Sequence, residues 1–228
     1  MKARQGSART EILERIRANL CAGAAAARLA PETAGPTPGA PTGLETPEAR
    51  CARFTALLEE VGGRVHPVRS EEEAARVLAE LARRHGARTI ALSDSPRIER
   101  IARDSAPGLR LLSSPLERGA LFEADLGFSA AQWGIAETGS LVLVSDAERH
   151  RLVSLVPPVH VALLEAAAIL PTLGDALAAA RGGPGEPSLA GRAITIVTGP
   201  SRTADIELTL VVGVHGPREL HVLLLDSS

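Results

Sequence analysis

Aromatic residues make up only 2% of the 228-residue chain, with no tyrosine and a single tryptophan. That scarcity removes the stacking platforms on which single-stranded nucleic acids are held. Charge of one sign is also missing. The net charge of −2 gives no overall basic field for a nucleic acid or an acidic membrane surface. The basic residues are nearly all arginine, which with the abundance of alanine reflects genome composition rather than function. Cysteine is limited to Cys21 and Cys51, with no CxxC pattern, so the sequence encodes neither a disulfide framework nor a zinc or iron–sulfur site. No metal site is expected on this ground. No apolar run approaches the length of a membrane span, and the first residues carry no apolar signal core, so the expected location is the cytoplasm. A Gly-rich dinucleotide fingerprint is absent as well.

What is present is a rhythm of caps, helices and β-branched runs. Ile12, Leu13, Ile16 and Leu20 recur at helical spacing, which predicts an N-terminal helix within 1–22. Residues 23–46 are rich in Ala, Pro, Gly and Thr and read as a flexible linker. The remainder, 47–228, reads as one α/β domain. Thr46-Pro47-Glu48 opens a helix carrying Phe54, Leu57, Leu58 and Val61 on one face. Ser70-Glu71-Glu72-Glu73 is a capping box ahead of Ala74, Val77, Leu78 and Leu81. Strand-like runs at 64–68, 89–93 and 109–112 alternate with these helices. Strand, polar cap, helix is the order of an open, mainly parallel sheet with flanking helices, and in such sheets ligands bind at the carboxyl ends of the strands.

The chemistry-bearing residues fall in four short segments. Glu137-Thr138-Gly139-Ser140 precedes the apolar run Leu141–Val144, where a glycine can let backbone approach a ligand closely or can simply turn the chain into the strand. Pro157-Pro158 fixes an extended backbone ahead of His160, whose imidazole can serve as an acid, a base or an anion donor, or as a hydrogen-bonded core residue. Gly199-Pro200-Ser201-Arg202-Thr203-Ala204-Asp205-Ile206-Glu207 breaks a β-branched strand and delivers hydroxyls, a guanidinium and two carboxylates, which suits an anion site or a capped turn. Gly213-Val214-His215-Gly216-Pro217 follows. The pattern over 206–214 is compatible with a strand or with a short helix.

Taken in this order and spacing, the four segments resemble the lactate utilisation protein C family, of the LutC or YkgG type with the LUD domain. The resemblance runs from about Pro47 to Asp226. It implies an open α/β fold similar to that of the CoA-transferase and ribose-5-phosphate isomerase superfamily. It also implies a part in oxidising L-lactate to pyruvate together with iron–sulfur partner proteins, this chain itself binding no cofactor. On that reading Arg202, Ser201 and Thr203 hold a small carboxylate or phosphate. Glu137, His160 and His215 are the candidate acid–base residues of the same cleft, with Thr138, Gly139, Asp205 and Glu207 lining it. Two alternatives stand beside it: a non-catalytic assembly subunit, and an independent enzyme acting on a phosphosugar, folate or CoA-linked substrate. The CoA-transferase motif that would make Glu137 a nucleophile is not evident.

Overall fold

The computed structural model describes residues 9–18, 42–105, 108–113, 118–145, 148–181, 193–204, 210–213 and 215–226. It divides into two units, 1–39 and 40–228. In the first, residues 9–18 form helix α1, with Ile12, Leu13 and Ile16 exposed.

The second unit begins its regular structure with α2 (Pro47–Glu60), β1 (Arg64–Val68), α3 (Glu71–Arg84), β2 (Thr89–Leu92), α4 (Pro96–Ser105) and β3 (Arg110–Leu112). The helix starts follow the expected chemistry. The Thr46 hydroxyl accepts from Ala49 N, and the Ser70 hydroxyl accepts from Glu73 N while the Glu73 carboxylate accepts from Arg69 N. Each such cap contributes about 1 kcal/mol. Next come α5 (Arg118–Leu121), β4 (Leu126–Ala130), β5 (Trp133–Ile135), β6 (Ser140–Ser145), α6 (Glu148–Leu155) and β7 (Val159–Glu165). The chain closes with β8 (Ile169–Leu170), α7 (Leu173–Arg181), β9 (Ala193–Val197), β10 (Arg202–Ala204), β11 (Leu210–Val212) and β12 (Glu219–Leu225).

The main sheet has six strands in the order β1-β12-β7-β4-β2-β3, every neighbouring pair parallel. Its central strands are apolar on both faces, as a sheet covered on both sides requires. On one face α3 and α4 pack Leu78, Leu81, Ile98 and Ile101 against Ile90, Phe128, Val161 and Leu223. On the other, α2 brings Phe54 and Leu58 against Leu164, Leu220, Val222 and Leu224. Phe54 and Leu58 are fully buried, each worth about 1.5–3 kcal/mol. Leu44, placed by the sequence in the linker, is buried in this second cluster.

A second sheet, β8-β5-β6-β9, is antiparallel except for β5 with β8. A two-stranded antiparallel pair, β10-β11, completes the unit. Leu210–Val212 is therefore strand, while 206–209 lie outside the described residues. Gly127 on β4 shows why α6 can sit so low on the sheet: a Cβ there would fall 2.1 Å from the Val153 carbonyl oxygen.

Candidate functional site

Where β9 runs past the amino ends of β7 and β12, the two sheets leave a cavity of about 220 Å³. Its wall includes Ser154, His160, Thr195, Thr198, Ser201 and His215. The position differs from the one expected at the carboxyl ends of the parallel strands, where a separate pocket of about 210 Å³ lies beside Ser93, Asp94, Ser95 and Ser113. His160 and Leu220 are paired in register near the starts of their strands, so the hollow opens beside the amino ends.

Backbone bonds hold the wall together. Ser201 N donates to the Pro217 carbonyl at 2.8 Å, Gly213 N to the Ser201 carbonyl at 2.8 Å, and Arg218 N to the Pro158 carbonyl at 2.7 Å. Three of the four sequence segments are thus laced into one rim. The fourth joins through side chains: Thr138 Oγ1 lies 2.7 Å from Ser140 Oγ, which lies 2.6 Å from Thr198 Oγ1. Since each hydroxyl donates only once, the three protons of this row make two bonds and leave one for a further acceptor.

His160 is the buried polar centre of the wall. It is wholly inaccessible, its Nε2 lies 2.9 Å from Ser129 Oγ, and its Nδ1 has no hydrogen-bond partner. Burial drives its pKa down to about 4, so the imidazole is neutral at neutral pH. With the proton on Nε2 and donated to Ser129, Nδ1 is a bare acceptor; with the opposite tautomer it is a donor. His215, in contrast, is an exposed lining residue.

Other expected members of the cleft serve elsewhere. The Glu137 carboxylate accepts from Leu173 N at 2.7 Å, at the start of α7, where Thr172 and Asp175 complete a reciprocal cap. The Arg202 guanidinium donates to the Val61 carbonyl at the end of α2 and is exposed. That carbonyl is one of the acceptors a helix leaves unsatisfied at its C-terminus, and a cation suits it. Glu137, His160 and Arg202 therefore do not surround a common cleft, because the first and last are committed to helix ends. Gly139, expected to admit a ligand, instead admits α2. It has φ +64°, and a Cβ there would lie 2.4 Å from Leu58 N. Thr203 is placed in β10 opposite Val211, and Asp205 and Glu207 lie outside the described residues.

The hydroxyls of Ser154, Thr195 and Thr198 were not singled out by the sequence reading. Thr198 closes the β-branched run Ala193–Thr198 directly before Gly199, and that break was the available signal. Cys51 offers no activated nucleophile, since burial first and nearby carboxylates second push its thiol pKa up. Cys21 lies outside the described residues. No helix among the described residues is long and apolar enough to cross a membrane.

Residues 51–225 match the model of the LUD domain. The chain belongs to the LUD domain family. It is 31% identical over 196 residues to the uncharacterised protein YkgG of Escherichia coli, an alignment covering 78% of this chain and 80% of that protein. It is 38% identical over 104 residues to lactate utilization protein C of Bacillus licheniformis, covering 46% of this chain and 43% of the relative. The chain spans less than half the length of several curated relatives that it matches. The crystal structure of a DUF162 family protein from Deinococcus radiodurans shares the fold, with a TM-score of 0.56 at 22% identity over 79% of this chain and 99% of that one.

Proposed function

We propose that this LUD domain serves lactate utilisation, binding a small hydroxy or keto acid in the cavity around His160 while iron–sulfur partner proteins take the electrons. The observation that carries the reading is the fully buried His160, unpartnered at Nδ1, in a wall laced together from all four segments of the lactate-utilisation resemblance. The name of the Bacillus licheniformis relative supports the pathway. Size supports the substrate class. At about 30 Å³ per water-sized atom, a hollow of 220 Å³ holds about seven non-hydrogen atoms. A three-carbon acid enters whole, whereas a CoA or folate molecule would leave most of its bulk outside.

Recognition in this reading falls to neutral donors rather than to Arg202. Thr198, Ser201 and Thr195 offer hydroxyls to a carboxylate, each bond contributing about 1 kcal/mol net. His160 is sealed beneath this wall, so in this reading it fixes Ser129 and the floor of the hollow and does not itself touch the acid. Oxidation of lactate to pyruvate removes two electrons and two protons, one proton from the hydroxyl and one from Cα; in this reading the electrons pass to the iron–sulfur clusters of the partners, each taking one at a time, and both protons leave to solvent.

Calorimetry with L-lactate and pyruvate tests the binding step. Ser201→Ala and Thr198→Ala are expected to weaken binding about tenfold each, the equivalent of one hydrogen bond, with the melting temperature little changed. Arg202→Ala is expected to leave affinity within about twofold. Absence of binding by the wild-type protein, or affinity lost only in Arg202→Ala, overturns the reading. A parallel reconstitution of lactate oxidation with the iron–sulfur partners, with and without this chain, tests the assignment to the reaction. Undiminished activity on omission removes it.

The helix-end roles of Glu137, Gly139 and Arg202 favour a second reading, in which the chain is an assembly subunit and the motif residues maintain its shape. It predicts no affinity for either acid but complex formation with the partners by gel filtration.

A further inference from the structure

On the opposite face of β12 from the cavity, Glu219 and His221 project together and meet His85 at the end of α3. The three ligand atoms lie within 4.8 Å of one another. Glu219 Oε2 is 3.4 Å from His221 Nε2 and 3.9 Å from His85 Nε2. Neither imidazole nitrogen has a hydrogen-bond partner, although both are buried. Both nitrogens face one carboxylate at ion-pair distance without hydrogen-bond geometry, an arrangement that a ligand shared by the three groups satisfies.

We propose that His85, His221 and Glu219 form a binding site for a divalent first-row transition metal, of which zinc is the type. Ligand bonds of about 2.0–2.2 Å in a tetrahedral site place neighbouring donor atoms about 3.3–3.5 Å apart. The Glu219–His221 distance already meets that spacing. His85 has to close on Glu219 by about half an ångström and on His221, from at most 4.8 Å, by up to about 1.4 Å, and as the C-cap residue of α3, with its side chain 18% exposed, it sits where a helix end adjusts.

The surroundings are those of a ligand set. His221 Nδ1 lies 3.0 Å from His66 Nε2. If His221 presents the bare Nε2 that a metal needs, its proton sits on Nδ1 and is donated to His66, which orients the ring. Arg64 donates to Glu219 Oε2 at 2.8 Å, but a carboxylate has about four lone-pair positions, so this bond leaves room for a metal. Two imidazoles and a carboxylate leave the fourth position of a tetrahedral ion for water. The site ties α3 to β12, and Arg64 brings in the neighbouring β1. No local spacing announces this set, since His85 and Glu219 lie on elements that only the folded sheet brings together.

The test uses the full chain freed of metal with a chelator, then titrated with Zn²⁺ or Co²⁺ alone. One equivalent is expected to bind, with cobalt giving the intense visible absorption of a tetrahedral site and zinc raising the melting temperature. His85→Gln and Glu219→Gln should each weaken binding at least tenfold while the circular dichroism spectrum stays unchanged. His85 is only half-buried, so its variant remains informative even where a change at buried His221 unfolds the chain. No saturable binding at micromolar metal, or binding that neither variant weakens, overturns the proposal and leaves an ordered water as the partner of the two nitrogens.

Discussion

Lowering the pH should destabilise this protein through His160, and the size of the effect follows from its burial. The unfolded chain exposes the imidazole to water with a pKa near 6.5, whereas in the folded protein it is about 4. Above pH 6.5 both states hold it neutral, so it contributes nothing to the pH dependence. As the pH falls below 6.5 the unfolded state takes up a proton that the folded state refuses, and stability drops. At 1.36 kcal/mol per pH unit the loss reaches about 2 kcal/mol by pH 5 and levels off at about 3 kcal/mol below pH 4. For a chain of this size, 2 kcal/mol corresponds to a fall of about 4–8 °C in melting temperature. His221, also near 4, and His66, lowered chiefly by burial, push the same way, so the wild-type curve alone cannot isolate His160. The comparison is with His160→Gln, whose neutral amide can still bond Ser129. Between pH 7 and pH 5 the variant should lose about 2 kcal/mol less than the wild type in urea titrations. Parallel curves would refute the claim that His160 is buried and uncharged, and with it the picture of a neutral, hydrogen-bonding cavity wall.

Two further outcomes follow from the helix contacts. Gly139→Ala should destabilise by about 2–4 kcal/mol in chemical denaturation, since it combines a left-handed backbone with a Cβ pressed on the Leu58 amide; a change below 0.5 kcal/mol would mean that α2 stands further off. Glu137→Ala should cost about 1 kcal/mol through the lost bond to Leu173 N, and Glu137→Gln less than half of that, with lactate affinity unchanged in both; a loss of affinity in Glu137→Gln at constant stability would restore the residue to the site.

The parts of the fold governed by local rules were legible from the chain. Thr46-Pro47 and Ser70 to Glu73 announce helix starts because hydroxyl and carboxylate caps act within four residues, and the buried runs at 89–92 and 219–225 announce parallel strands because both faces are covered. The site was legible only as a set of segments. Which polar side chain faces the hollow depends on long-range packing: Glu137 is drawn to the first amide of α7 and Arg202 to the last carbonyl of α2, contacts between groups far apart in sequence. The carboxyl end of the sheet is not closed: a pocket of about 210 Å³ lies there beside Ser93, Asp94, Ser95 and Ser113. At that end the salt bridges of Glu71 with Arg97 and Arg100, and of Arg97 with Glu165, span the helices and strands, while the sheet-to-sheet junction opens the cavity at the amino ends.

That junction gives β12 a double role. Because successive side chains of a strand alternate between faces, Leu220 reaches the His160 cavity while Glu219 and His221 reach the cluster around His85. The two sites share one strand and no side chain. A metal that draws His85 toward Glu219 would fix the amino end of β12, whose Leu220 and preceding Gly216-Pro217 form part of the cavity wall. The proposed metal site therefore carries a consequence for the proposed acid site, and the sign is positive: ordering this wall beforehand lowers the conformational cost of binding. With zinc bound, lactate or pyruvate affinity should rise, and by linkage either acid should raise zinc affinity by the same factor. If each ligand binds and neither alters the other's affinity, the two faces of β12 are independent, and the metal would then only tie α3 to the sheet.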